Sequence, residues 1–331
     1  MPQDTCSPIV QDLNSRIVRC SDGARTHGDL PHATAVRYQR FLLLEVPGPW
    51  GSAALEDSRI EAGIAQRLAR AAAASDIRVV LIRKPGRHPP VAADDRSKAL
   101  AWAIVDITTG IERVRWGSWR DPADLLDIDL SATALFGAGT SGSQRLALVC
   151  TNGKRDQCCA IRGRPVAAAI EAASGWDTWE CSHIGGHRFA ATALLLPYGD
   201  MFGQLDPESA QEALRQFDVG QIMLSHYRGR CGQPFPVQAA LHAAAIRLGD
   251  CRRDAIRALS VRSAGDRWDV EVSHRPSDLS PERAYQVTIG STRLEPTVLS
   301  CADAKPKPGT AYQAISFAPA PQDGLALISG R

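Results

Sequence analysis

Short apolar runs separated by turn residues and helix-period segments set the pattern of this chain. RFLLLEV (40–46) is a continuous apolar run closed by PGPWG, as expected of a buried strand. A helix is predicted at about 57–75, where Ile60, Ile64, Leu68 and Ala72 recur at helical spacing. IRVVLIR is the next strand, KPGRHPPVAADDRS a loop, and ALAWAIVDI and IERVRWG a hairpin about Thr109-Gly110. DPADLLDID then opens a helix, with Asp121 as its cap and Pro122 in the first helical position.

The same order returns. RLALVC (145–150) is a strand, CTNGKRDQCC a loop, RPVAAAIEAAS a helix and WDTWEC a strand. After the loop HIGGH, FAATALLLP and DMFGQL form a hairpin about Tyr198-Gly199, and DPESAQEALRQF opens a helix capped by Asp206. Both stretches read β-α-β-β-β-α, which implies an internal duplication. PGPWG and KPGRHPP stand in the first copy where the second has its cysteine and histidine loops, so the first copy carries no cysteine ligand.

The flanks are less regular. Residues 1–36 are polar and turn-rich and read as an arm. Residues 136–144 are a Gly/Ser linker whose Gly137, Gly139 and Gly142 mimic a dinucleotide fingerprint. A strand rather than a helix follows them, so the pyrophosphate-binding helix N-terminus is missing. After about residue 225, SHYRGRCGQPFP reads as a loop, VQAALHAAAIRLG as a helix and DAIRALSV as a second. RWDVEVSHR, YQVTIGS and YQAISFAP are strand-like, giving a C-terminal α+β unit at 226–331.

Composition narrows the function classes. A net charge of +2 favours neither nucleic acid nor an anionic membrane as partner, and no apolar run approaches the ~20 residues of a membrane span. Nine cysteines without an evident export signal point to reduced thiols and ligands, and to the cytoplasm. Cys150 and Cys159 flank one glycine-containing loop and His183 and His187 another. Two thiolates and two imidazoles delivered as pairs are a metal- or cluster-binding set. Cys159 near a helix start favours its thiolate, as do Lys154, Arg155, Arg162, Arg164 and Arg188 nearby. On residue types alone a Cys2His2 zinc site, structural rather than redox-active, remains open. Cys181 reads as a free buried thiol, and Cys6, Cys20, His27 and His32 as solvated residues of the arm. Neither a nucleophile–base–orienter set nor a marked carboxylate pair is visible.

CTNGKRDQCCAIRGRPVA, WECSHIGGHRFAATALLLPYG and YRGR (227–230) resemble the sucrase/ferredoxin-like family, a branch of the thioredoxin-like ferredoxins. The resemblance runs from about residue 40 to 245. It implies tandem thioredoxin-like domains, a degenerate one at 37–135 and a cluster-bearing one at 145–225. It also implies a 2Fe–2S cluster. Histidines replace the second cysteine pair of the wider group, as in some members of the family, which assigns Cys150, Cys159, His183 and His187 as ligands and leaves Cys158 spare. The implied activity is one-electron transfer, and the second ring nitrogen of each imidazole adds an expected proton coupling. For an electron carrier, the basic residues Lys154, Arg155, Arg162, Arg164 and Arg188 predict a redox-protein partner with an acidic docking face.

Overall fold

The computed structural model describes residues 19–86, 98–133, 140–141, 144–173 and 175–320. It is a mixed α/β protein built on a ten-stranded mixed sheet and a separate four-stranded sheet. The first half of the large sheet holds β1 (Arg40–Glu45), β2 (Ile77–Arg83), β3 (Leu100–Asp106) and β4 (Arg113–Trp119). The second holds β6 (Leu146–Cys150), β7 (Asp177–Cys181), β8 (Ala193–Leu196) and β9 (Asp200–Phe202). Short β5 (Thr140–Ser141) pairs with β4, and β10 (Tyr227–Arg230) with β9.

The two halves repeat one another in space. β1 lies between parallel β2 and antiparallel β3, and β3 pairs with β4. In the same way β6 lies between parallel β7 and antiparallel β8, and β8 pairs with β9. The halves meet edge to edge where β2 runs antiparallel to β7, with Ile82 opposite Cys181 and Arg83 opposite Glu180. That seam brings the end of β7, and the histidine loop after it, against the first half.

Alternation along the strands divides the core. Phe41 and Leu43 of β1 join Leu146, Leu148 and Cys150 of β6 in one core shared by both halves. Leu42 and Leu44 face away from it, under helix α2 (Ala62–Ala74) and its Leu68 and Ala72. Ala147 and Val149 face α3 (Gln157–Ala172) and α4 (Pro207–Asp218), meeting Val166, Ile170 and Leu214. Strands buried on both faces read as unbroken apolar runs, which is why RFLLLEV and RLALVC stand out in the sequence.

The second sheet has the order β11 (Ile256–Ala264), β12 (Arg267–His274), β13 (Arg283–Thr297) and β14 (Lys307–Pro319). Helix α5 (Phe235–Leu248) packs Val237, Ala240 and Ala244 on its Val270, Val272, Val287 and Ile289.

Several expectations need correction. The second half of the expected arm is built into the fold. Helix α1 (Cys20–Thr26) buries Cys20, Ser21, Gly23 and Ala24, and Ala33 and Ala35 are core residues. Such small side chains carry almost no hydropathy signal, so a polar reading passes over them. YRGR is not loop but β10, past the expected boundary at 225 yet on the edge of the large sheet. DAIRALSV belongs to strand β11, because β12 supplies a hydrogen-bonding partner across Ile256–Ala264. DPADLLDID forms only a 3₁₀ turn at Pro122–Asp127, although Asp121 caps it as expected. Within 136–144 the pair Thr140–Ser141 is a strand; Gly137, Gly139 and Gly142 lie outside the described residues, as does Cys6.

Candidate metal centre

Cys150 is the last residue of β6, so its side chain leaves the sheet end where the chain turns. Its N–H donates to the Thr192 carbonyl at 3.1 Å, and Thr151 N–H donates to the Cys181 carbonyl at 3.1 Å, fixing the turn to both neighbouring strands. Asp156 then caps α3, accepting from Cys158 N–H at 2.9 Å, which places Cys159 in the first turn. Helix and strand end approach closely because residue 163 is glycine. A Cβ there would stand 2.2 Å from the Cys150 carbonyl oxygen.

The histidine loop is shaped from the opposite side. Gly186 adopts φ +71°, and a Cβ on it would come 2.4 Å from the guanidinium of Arg228. Arg228, fully buried, donates from Nη1 to the Gly185 carbonyl at 3.0 Å and from Nε to Thr34 Oγ1 at 2.9 Å. Burial lowers its pKa to about 10, which leaves it protonated at neutral pH. Arg78 Nη2 donates to the His183 carbonyl at 2.8 Å, so cations from both halves hold this loop.

Two groups of ligand-type side chains converge among the described residues. The donor atoms of Cys150, Cys159 and His183 lie within 4.8 Å of one another, with Cys150 Sγ 4.0 Å from His183 Nδ1. The His187 ring stacks on that of His183 at 4.8 Å and 28°, but His187 falls outside the tight set of three. The structure thus brings all four expected residues to one place, with both cysteines buried and both histidines half-buried. Cys181 lies beside Cys150 across β6 and β7, free and buried as expected.

The second group, Cys20, Asp156, Cys158 and Cys301, was not foreseen. Cys20 is no solvated residue of an arm. It is completely buried, whereas His27 bonds the Gly23 carbonyl and His32 stacks on His242.

Electrostatics at the first group split the thiol pair. A hydrogen bond from Cys159, opposed by burial and joined by His183, holds the Cys150 thiol well below its ordinary pKa. Cys159 is displaced upward by the same hydrogen bond and by burial, so the pair without metal shares one proton. Burial, then the neighbouring His183, pushes His187 down and keeps it neutral. Its Nδ1 is buried with no hydrogen-bond partner among the described residues. An orphaned imidazole nitrogen beside thiols of this kind is unusual unless something ligates it. The donor set therefore fits a transition metal or an iron–sulfur centre.

The expected docking cations divide. Lys154, Arg155 and Arg164 are exposed. Arg162 donates to Ser21 Oγ at 2.8 Å and pairs with Asp22, and Arg188 pairs with Asp29 at 3.0 Å. A surface groove of about 460 Å³ runs beside His183, lined also by Tyr38, Arg78, Arg155 and Ser182.

The sucrase/ferredoxin-like family model matches residues 31–229. The chain belongs to the sucrase/ferredoxin-like family. The match covers more than half of the chain, including both halves of the large sheet and the four clustered residues of the cysteine and histidine loops. No curated protein and no solved structure matches the chain. In this family member the matched region stops before α5 and the four-stranded sheet, and it leaves out Cys20 and Cys301. No described helix is long and apolar enough to cross a membrane.

Proposed function

We propose that the protein is a one-electron carrier whose Cys150, Cys159, His183 and His187 hold a 2Fe–2S cluster. The observation that carries this reading is the meeting of both loops at one point in a sucrase/ferredoxin-like chain, with His187 Nδ1 lacking a hydrogen-bond partner among the described residues. Ligands of one tetrahedral ion lie roughly 4 Å apart. His187 outside the tight set suits a centre with two metal atoms better. Such a cluster accepts and returns a single electron.

The chain's own residues supply the rest. Arg228 and Arg78 fix the histidine loop by its carbonyls, so the imidazoles hold one orientation. Half-burial of His183 at the groove gives a short path to the surface, whereas both thiols are sealed from water. Each imidazole retains a second ring nitrogen where a proton can be gained or lost.

The repeated strand order supports reading the two halves as tandem thioredoxin-like domains, with only the second keeping ligands. Exposed Lys154, Arg155 and Arg164 support docking of a redox partner with an acidic face. Metal and sulfide analysis of anaerobically purified protein tests the main reading. About two iron and two acid-labile sulfide per chain are expected. Protein without labile sulfide, whatever zinc it contains, overturns it.

A further inference from the structure

Three cysteines from distant parts of the chain converge on the N-terminal cap of α3. Cys20 begins α1, Cys158 lies in the first turn of α3, and Cys301 lies in the connection between β13 and β14. Their sulfurs form a nearly equilateral triangle: 3.6 Å from Cys20 to Cys158, 3.4 Å from Cys158 to Cys301 and 3.6 Å from Cys301 to Cys20. The Asp156 carboxylate stands on the same point, its Oδ2 3.5 Å and its Oδ1 3.6 Å from the Cys20 sulfur.

We propose that Cys20, Cys158, Cys301 and Asp156 form a second, closed tetrahedral site for a single zinc ion. With Zn–S near 2.3 Å, a regular tetrahedron separates its sulfurs by about 3.8 Å. With Zn–O near 2.0 Å, it puts sulfur and oxygen about 3.5 Å apart. The observed spacings need only slight expansion to admit the ion. A disulfide, at about 2.05 Å, would use two of the sulfurs and strand the third next to a carboxylate. Three thiolates and one carboxylate are a zinc donor set.

The surroundings are already ordered for it. Asp156 Oδ2 accepts from Cys301 N–H at 2.8 Å and from the Ser300 hydroxyl at 3.0 Å, which orients the carboxylate. Arg162 sets a cation beside Cys20 through its bond to Ser21. Cys20 and Cys158 are fully buried, but residue 301 is exposed, so the ion has a way in. Ala190 packs on both buried cysteines, three residues beyond His187. The site therefore clamps α1 and the β13–β14 connection to the back of the histidine loop. Cys20 and Cys301 both lie outside the family match, so this clamp is a property of this chain's flanks.

The test uses full-length protein purified with reductant and without chelator, and measures zinc, iron and sulfide together. About one zinc per chain is expected, separate from the iron. Cys301→Ser and Cys158→Ser should each lower zinc at least tenfold and keep the iron, while a His183→Ala/His187→Ala double variant should lose iron and keep zinc. Cobalt(II) titration of the reduced wild-type protein reads the site without any substitution. It should give tetrahedral d–d bands and strong thiolate charge transfer, bleached by equimolar zinc. Absence of both zinc and cobalt uptake, zinc that follows the histidine variant rather than Cys301→Ser, or a Cys158–Cys301 disulfide in the reduced protein would each overturn the proposal. None of these outcomes bears on the sulfide content that tests the cluster.

Discussion

Cys158 and Cys159 are neighbours in sequence but join different groups of side chains. Cys158 Sγ meets Cys301 Sγ at 3.4 Å, while Cys159 belongs with Cys150 and His183. Successive helix positions diverge by about 100° around the axis, so one turn of α3 serves both sides. Cys159→Ser should therefore abolish or severely deplete the visible absorption expected of the proposed cluster. Cys158→Ser should leave that spectrum essentially unchanged. Absorbance per chain after anaerobic purification checks both, and the opposite result would exchange their roles.

Arg228 is the brace of the histidine loop. Arg228→Ala removes its bonds to Gly185 and Thr34 together and opens a cavity, at a cost of about 3 kcal/mol. Gly186→Ala should disturb the same loop, since residue 186 has a positive φ and faces the guanidinium. Urea denaturation gives the stability change. Iron content should drop in both variants, and intact iron with lowered stability would show that the brace serves the fold alone.

The reduction potential should vary with pH. Adding an electron raises the proton affinity of the free imidazole nitrogens, so reduced protein binds protons more tightly and the potential falls as pH rises. One proton per electron gives a slope of about 59 mV per pH unit. Burial and His183 keep His187 neutral in the metal-free fold, which is the form that ligates. Replacing His183 and His187 by cysteine should lower the potential and flatten the slope. Protein-film voltammetry measures this, and a wild-type potential flat between about pH 6 and 10 would exclude proton exchange at the imidazoles.

Acid should loosen the joint between the N-terminal segment and α5. His32 and His242 stack at 4.5 Å and 7°, and burial, then the His32 charge, pushes His242 down to about 4. Burial also lowers His32. Both are neutral in the fold but protonate near pH 6.5 when unfolded. Their stabilisation is thus full above about pH 6.5 and is lost as pH falls from there towards 4. The loss is about 2 kcal/mol after allowance for partial exposure. His242→Phe keeps a stacking ring without the proton. Its urea midpoint should change less between pH 7 and 5 than that of the wild type.

Docking is read by charge reversal. Lys154→Glu with Arg155→Glu should slow electron transfer to an acidic partner several-fold and weaken its salt dependence, leaving the iron spectrum intact. Arg188→Glu is a poorer probe, because Arg188 is committed to Asp29. Stopped-flow rates indifferent to both salt and reversal would move docking to another face.

How much of this was legible follows from where each signal resides. The duplicated order was readable because β1 and β6 are buried on both faces, and because Asp121 and Asp206 mark the end of each copy. The cysteine and histidine loops were readable because each pair is local. Cys20 and Cys301 are 281 residues apart, and no spacing rule reaches that far. Strand β11 was misread because Ile256 and Leu259 satisfy a helical period, and what decides the matter is the pairing with β12. YRGR was read as part of a loop, because sequence does not show that Arg228 has carbonyls waiting for it inside.

The seam between β2 and β7 limits how the protein can be dissected. Among the described residues two residue pairs form its ladder, extended by Ser182 N–H donating to the Leu81 carbonyl at 2.8 Å and reinforced by Arg83 donating to Glu180 Oε2 at 2.7 Å and 2.9 Å. Glu180 also accepts from Thr151 beside Cys150, and Arg83 covers the ring of Trp50 in the PGPWG loop. A fragment beginning near residue 144 would expose β7 as a bare strand edge, open to pairing with other chains, and would strip Glu180 of its Arg83 counterion. The first half therefore covers an edge and neutralises a charge of the half that carries the cysteines and histidines.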